Sequence, residues 1–378
     1  MGAGAVAESP LVYVVTPVHN GEPFLEACIQ SVLSQNYTNW RYAIVNNQST
    51  DRTREIAAHY AQTNPRITVH DNVEFLDIIA NWNHAMRLMP PGSKYCKVVH
   101  ADDILFPECV QRMVDVAETD PRIAVVGAYV LQENRVVCDG RPYPRQVFSG
   151  AEVCRSRLHG ATHVFGTPTT TLIRADIIRK RDPFYDDTYL HADAEACLDI
   201  LRDHDWGYVH QVLTHTGIHR GSVTAQRANP LQTMIADNMR MLLKYGPEYF
   251  SAEELPALVA RRREQYYYTL AKHLVHRYSF RFVPYQRKQL AGTSEPFSFA
   301  RLAIAAVRYS LRHPLAFARF ARIRIRRLAY KCGMSRPKRR RTSVDANPQQ
   351  ARSEGAAGGS SLSTSLVADY VSGQEMRE

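Results

Sequence analysis

Short apolar runs alternate along this chain with longer stretches in which apolar residues recur every three to four positions. Leu11–Val15 is closed by Thr16-Pro17, and Tyr42–Val45 and Arg66–Val69 repeat the pattern, so each is read as a strand. Between them, Glu22–Gln35 sets Phe24, Leu25, Cys28, Ile29, Val32 and Leu33 at a helical period, and Arg52–Gln62 and Leu76–Leu88 are read the same way. A fourth strand runs into Val98-Val99-His100-Ala101-Asp102-Asp103; a helix follows over Pro107–Thr119 and a strand over Ile123–Leu131. Cys138–Pro144 reads as a loop, Leu172-Ile173 as a short apolar run, Ala196–Leu201 as part of a helix and Gly207–Leu213 as a strand. Strands alternating with helices of this length make βαβ units, so the expected class is α/β with a mostly parallel, Rossmann-like sheet flanked by helices. Past Asn229 the alternation stops, and Thr233–Lys244, Ala252–Arg277, Phe299–Arg312 and Leu315–Lys331 read as helices. The expected organisation is a disordered N-terminus over 1–10, an α/β domain over 11–228, a helical, basic, amphipathic extension over 229–341, and a disordered tail over 342–378 rich in Ser, Gly and Ala.

Charge changes this picture at one end only. The chain has 378 residues and a formal net charge of +10. Between Arg301 and Arg341 stand 14 Lys and Arg and no Asp or Glu, which leaves the remainder mildly acidic. Basic residues interleaved with Leu302, Ile304, Phe317, Phe320 and Ile323 suit an anionic membrane surface, reached through 299–341. Nucleic acid is the rival for Lys338–Arg341, but no reading module accompanies that run. The 7 cysteines are scattered without a CxxC, which points to a reducing compartment. The N-terminal residues lack a signal-peptide pattern and no apolar run reaches membrane-spanning length, so the expected location is cytoplasmic, or peripheral on the inner face of the cell membrane.

The chemistry gathers where strands end. The first strand-to-helix turn, Thr16 to Pro23, has neither GxGxxG nor a Walker A lysine, which argues against dinucleotide oxidoreductases and P-loop NTPases. Thr16, His19, Asn20 and the cluster Asn46–Asp51 instead put polar side chains at two adjacent strand ends, suited to reading a base and ribose. Asp102 and Asp103 are adjacent carboxylates that need a cation or hydrogen-bond donors, although such a pair also occurs as a plain turn and helix cap.

Pro17-Val18-His19-Asn20, Ser31-Val32-Leu33-Ser34-Gln35-Asn36-Tyr37, Ser49-Thr50-Asp51 and Ala101-Asp102-Asp103 stand in a fixed order. That order resembles the bacterial-type family 2 glycosyltransferases of the GT-A fold, whose usual pattern is P-x-Y-N, S-x-L-x-Q-x-Y, D-D-G-S-x-D and D-x-D-D, over roughly residues 11–225. The resemblance implies a nucleotide-diphospho-sugar transferase fold with a C-terminal helical extension. It implies a donor pocket from Thr16, Pro17, Val18, His19, Asn20, Asn47, Ser49, Asp51, Asn81, Ala101 and Asp102. Mg2+ or Mn2+ would be held by Asp102, Asp103 and His219, and Gly166 would lie in a glycine loop on the acceptor side. Asp193 would be the catalytic base, with Glu195 its rival because Ala192 stands where the family has a Glu. Two further departures are His100 for the first Asp of D-x-D and Asn46-Asn47-Gln48 for D-D-G.

The chemistry implied is transfer from a nucleotide sugar through an oxocarbenium-like state, needing diphosphate stabilisation and one base on the opposite face. The expected function is thus a metal-dependent inverting glycosyltransferase, moving a sugar to a saccharide or lipid-linked acceptor in surface polysaccharide or glycolipid biosynthesis. The alternatives are a non-catalytic nucleotide-sugar-binding scaffold at the membrane, to which His100 and Asn47 would point, and a nucleotidyltransferase.

Overall fold

The computed structural model describes residues 9–161, 164–277, 279–318, 321, 322 and 325, so the tail expected over 342–378, and ten of the 17 residues of the helix expected over Leu315–Lys331, lie outside the described residues. The chain divides into two compact units, Met1–Arg312 and His313–Glu378, and every element below lies in the first. In order these are β1 (Val12–Val18), α1 (Leu25–Leu33), β2 (Trp40–Asn46), α2 (Thr53–Thr63), β3 (Ile67–Asp71), α3 (Ile78–Arg87), β4 (Tyr95–Val98), β5 (Asp103–Leu105), α4 (Cys109–Ala117) and β6 (Ile123–Gln132). Then come β7 (Arg135–Val137), β8 (Val147–Phe148), α5 (Gly150–His159), β9 (Thr171–Arg174), α6 (Ala175–Lys180), α7 (Ala192–Ile200) and β10 (Asp205–Thr216). The helical part is α8 (Asn229–Leu231), α9 (Thr233–Tyr249), α10 (Glu254–Arg277), α11 (Phe282–Leu290) and α12 (Phe299–Arg312).

One sheet carries the order β3-β2-β1-β4-β9-β6-β10-β5, with β7 on β6 and β8 on β10. β1, β2, β3 and β4 pair in parallel, and β6 pairs in parallel with β10. β9 lies antiparallel between β4 and β6, so β1 to β4, β6 and β10 all point one way. The sheet is therefore mixed where a mostly parallel one was expected. The run Leu172-Ile173 is the inserted strand, too short for its direction to show in sequence. From β1 the chain winds outward to β2 and β3, then returns to the other side of β1 as β4. This opens a crevice at the carboxyl ends of β1 and β4, where open α/β sheets bind ligands.

Both sheet faces are covered, which explains the unbroken apolar runs. Along β1, Tyr13 and Val15 enter one buried cluster and Val12, Val14 and Val18 the other, the alternation a strand demands. A third cluster joins Met239 of α9, Tyr266, Tyr267 and Leu270 of α10, Phe282 and Leu290 of α11, and Leu302 of α12. The six described cysteines are free and buried. α5 was missed in the sequence, although its signal is there. Ser149 caps it by accepting from the Glu152 amide at 3.3 Å, and Gly160 ends it with φ +119°.

Gly127 of β6 lies under Trp206 of β10, and a Cβ there would stand 2.3 Å from the indole Cζ2. Gly127→Ala is expected to lower stability in urea unfolding by about 2–3 kcal/mol through overpacking. Unchanged stability would contradict this close approach.

Candidate active site

Parallel strands put their ends on one rim. β1, β2, β3 and β4 finish at Val18, Asn46, Asp71 and Val98, and the polar residues follow at once. The loop after β1 is tied to the loop after β2. Asn20 (φ 52°) takes the left-handed region, its amide donates to Ser49 Oγ at 2.9 Å, and its Oδ1 accepts from the Thr50 amide at 2.8 Å. His19 Nδ1 lies 2.7 Å from the Asn47 carbonyl, and its ring meets Phe75 edge-on at 5.0 Å. Asp51 accepts from the Glu22 amide at 3.1 Å and from the Thr53 amide at 3.0 Å. Those hydrogen bonds hold its carboxyl below the usual range, against the upward push of partial burial. Asp51 thus fastens the rim.

Thr16 lies fully buried beneath the loop, 2.8 Å from the Tyr42 hydroxyl, and Pro17 and Val18 complete the buried strand. Asn47 is nearly buried and its side chain is fully engaged. Nδ2 donates to the Leu76 carbonyl at 2.8 Å, and Oδ1 accepts from the Leu76 amide and from Asn72 Nδ2, both at 2.9 Å. Asn72 Nδ2 also donates to Asn81 Oδ1 at 2.9 Å. The residues expected to line a donor pocket on this side therefore split. His19, Asn20 and Ser49 face the rim, whereas Thr16, Asn47, Asp51 and Asn81 hold its shape.

On the other side of the crevice, the β5–β10 ladder pairs Asp103 with Thr216 and so carries the end of β10 to the acidic turn. There His219 Nε2 lies 3.0 Å from Asp102 Oδ2, the imidazole packs on Phe24 at 4.5 Å, and both side chains keep close to three-tenths of their surface open. Ala101 sits in the turn just before them. Asp103 points inward instead, 2 % exposed, and Oδ1 accepts from the Gly217 amide at 3.1 Å. Burial, with the Asp102 charge beside it, pushes the Asp103 carboxyl up. His100 stacks on Trp82 at 4.7 Å, its amide donates to Thr169 Oγ1 at 3.0 Å, and burial pushes its imidazole down.

Asp102 and His219 fit a Mg2+ or Mn2+ that takes most of its ligands from phosphate and water, the usual habit of Mg2+. Among the described residues no three His, Cys, Asp or Glu converge as a closed cage. Of the expected metal set, the structure brings Asp102 and His219 together in the open and turns Asp103 away.

Asp193 stands in the first turn of α7, in a narrow cavity walled by Phe165, Pro168, Tyr185 and Cys197. Burial pushes its carboxyl up to about 6, against backbone hydrogen bonds and the Arg157 charge. Its rival Glu195 is fully buried and committed, accepting from Arg181 Nη2 and Lys244 Nζ at 2.7 Å each and from the Tyr245 hydroxyl. Gly166, at φ +75°, turns the neighbouring loop where a Cβ would clash with Thr170.

Sequence reasoning missed the part that joins these regions. Lys97 of β4 is wholly buried, and its ammonium donates to the carbonyls of Thr169 and Thr171. The short turn Pro168–Thr170 is thus fixed between His100, which meets Thr169, and Asp193, whose cavity Pro168 lines. The signal was a lysine inside the apolar run Tyr95–Val99.

Crystal structures of S. aureus TarS 1–349 share this fold. The complex with UDP-GlcNAc overlays with a TM-score of 0.54 at 13% identity, covering 74% of this chain and 79% of that one. The fold is thus the GT-A fold of glycosyltransferases. Residues 13–181 match the family model of Glycosyl transferase family 2. Relatives include an uncharacterized glycosyltransferase of Haemophilus influenzae, 24% identical over 49% of this chain, and a chondroitin synthase of Escherichia coli, 25% identical over 56%. The chain spans 58% and 34% of their respective lengths.

Asp193 gives a test of this geometry that needs no substrate. Its folded pKa of about 6 lies above the unfolded value of about 3.9, so the folded state holds the proton longer and loses stability as pH rises between them. Asp193→Asn removes that loss. Urea unfolding is expected to show the variant gaining up to about 2 kcal/mol on the wild type between pH 4 and pH 7, with the gap closing at pH 4. A gap independent of pH would contradict the buried setting.

Proposed function

We propose that this chain is a metal-dependent, inverting glycosyltransferase that moves a sugar from a nucleotide-sugar donor to a hydroxyl of a saccharide or lipid-linked acceptor. The carrying observation is the pairing of an open Asp102–His219 couple with a protonatable Asp193, linked across the crevice floor by Trp82, which stacks on His100 and meets Tyr185 edge-on at 5.8 Å. That the TarS structure was solved with UDP-GlcNAc supports a nucleotide-sugar donor.

The donor base and ribose would lie on the rim made by His19, Asn20 and Ser49, with the diphosphate directed to Asp102 and His219. A divalent cation bound there would neutralise charge growing on the leaving diphosphate. Asp102 and His219 orient that group, while the buried Asp103 keeps the turn in place through the Gly217 amide. As the bond to the leaving oxygen lengthens, the acceptor hydroxyl attacks from the opposite face and Asp193 takes its proton. One base with no second carboxylate poised as a nucleophile gives inversion. Glu195, held by two cations and a phenol, is a poor base and a strong brace for α7.

The setting belongs to surface polysaccharide or glycolipid synthesis on the inner face of a membrane, with 299–341 as the attaching segment. In α12, Leu302 and Tyr309 are buried, while Ile304, Val307 and Leu311 are 52%, 60% and 77% exposed, with Arg301, Arg308 and Arg312 beside them. An apolar stripe bordered by arginines matches an anionic bilayer surface. Among the described residues, no helix is long and apolar enough to cross a membrane.

Asp193→Asn is expected to bind UDP as the wild type does and to lose at least 10²-fold in transfer, with wild-type kcat falling below about pH 6. Asp102→Ala is expected to weaken UDP binding in Mn2+ and to leave it unchanged in EDTA, as read by calorimetry. Equal weakening in both would exclude the metal role. For attachment, replacing Ile304, Val307 and Leu311 together by Ser is expected to cut flotation with phosphatidylglycerol vesicles at least tenfold. Unchanged flotation would remove α12 from the interface.

A further inference from the structure

A cavity of about 1130 Å³ lies beside the site, between the loop and start of α3 at Phe75–Ala80, the segment Asp187–Leu190, and helices α9 and α11. It exceeds the usual volume of a small-molecule pocket, about 300–1,000 Å³, and has room for more than one sugar ring. Three of its four walls fall outside residues 13–181, so the family match does not account for it.

Four cations and two carboxylates share its lining. Arg227, Arg240, Lys244 and Lys288 line it against Asp77 and Asp187. Two of the cations are committed. Arg240 donates to the Thr188 carbonyl at 2.7 Å and lies over the Tyr189 ring at 3.7 Å, while Lys244 pairs with Glu195 at 2.7 Å. Arg227 and Lys288 are exposed, and neither has an ion pair among the described residues. The Tyr285 phenol also lines the cavity, within the fields of Arg227 and Arg240. Phe75, Leu76, Ile78 and Leu243 supply apolar wall of the kind a sugar face packs against.

Two connections place the cavity in the reaction. Leu76, whose backbone Asn47 grips from the nucleotide side, is one wall. Tyr189 and Leu190 form another and lead directly into α7 and Asp193. A molecule lying there is separated from the donor rim by the Phe75–Leu76 loop, and its Leu190 wall stands three residues before Asp193 in the chain.

We propose that this cavity is the acceptor site and that the acceptor carries a phosphate group, bound by Arg227 and Lys288 with Tyr285 as a further donor. A guanidinium, an ammonium and a phenol supply donors of different geometry to a group with several oxygens. The inference rests on the glycosyltransferase reading for the word acceptor, and on the cavity alone for the phosphate. The phosphate is borne by a soluble sugar phosphate or by a lipid.

The test is calorimetry on the full chain with glucose 1-phosphate as probe, with UDP and Mg2+ at saturation to fill the donor site. Glucose 1-phosphate is expected to bind the wild type, to weaken at least tenfold in Arg227→Gln/Lys288→Gln and in 0.5 M salt, and methyl glucoside is expected not to bind. Arg227→Lys/Lys288→Arg, which keeps both charges, is expected to restore most of the binding. Dihexanoyl phosphatidic acid displacing the probe assigns a lipid-borne phosphate, and failure to displace it a soluble one; both support the phosphate site. Absence of probe binding, or equal binding by the charge-neutral variant, overturns it. UDP affinity is read in the same cell and is expected to match in all variants, so a failure of UDP to bind anywhere counts against the donor reading separately.

Discussion

A buried ammonium holds the two halves of this site together. Lys97 sits wholly buried in the middle of the sheet, and charges are rarely left so deep unless every donor is used. Its donors go to the carbonyls of Thr169 and Thr171, at the junction where the antiparallel β9 leaves the short turn Pro168–Thr170. Burial pushes the ammonium down, so its hold depends on the hydrogen bonds it makes to those carbonyls. The Asp102 turn sits on one side of that junction and the Asp193 cavity on the other. The spacing of the Asp102 turn and the Asp193 cavity is thus held by a strand residue that lies between them.

Seen from that junction, the departures from the usual family pattern make local sense. Where the pattern has an Asp, Asn47 both donates to and accepts from the Leu76 backbone, and a carboxylate can do only the second. Where the pattern has the first Asp of D-x-D, His100 stacks on Trp82 and faces the buried Asp103 at 3.7 Å. A third carboxylate there would add charge beside Asp102 and Asp103, which already repel one another.

Much of the first half was legible from sequence because it depends on short-range order. Apolar runs and helical periods located β1 to β4 and the helices between them, and the loops that follow those strands carry His19, Asn20, Asn47 and Asp102. What escaped was set by distant pairing. β5 is only Asp103–Leu105, and its pairing with β10, which brings His219 to Asp102, has no local signature. The inward turn of Asp103 follows from that same ladder. Asp193 and Glu195 look alike in sequence, two residues apart. Only the approach of Arg181, Lys244 and Tyr245 from other elements shows that Glu195 is taken. The cavity is assembled from five separate segments, and its two uncommitted cations, Arg227 and Lys288, were indistinguishable from ordinary surface residues.

On the proposed reading, Asp102 and His219 form the diphosphate end of a donor site whose nucleobase end is the His19–Ser49 rim. Diffraction from crystals grown with UDP and Mn2+, recorded for the anomalous signal of the metal, tests it most directly. The account predicts one metal peak about 2.1 Å from an Asp102 oxygen and beside His219, with the uracil against His19. A metal held elsewhere, or UDP lying in the cavity between Phe75 and Lys288, would contradict it.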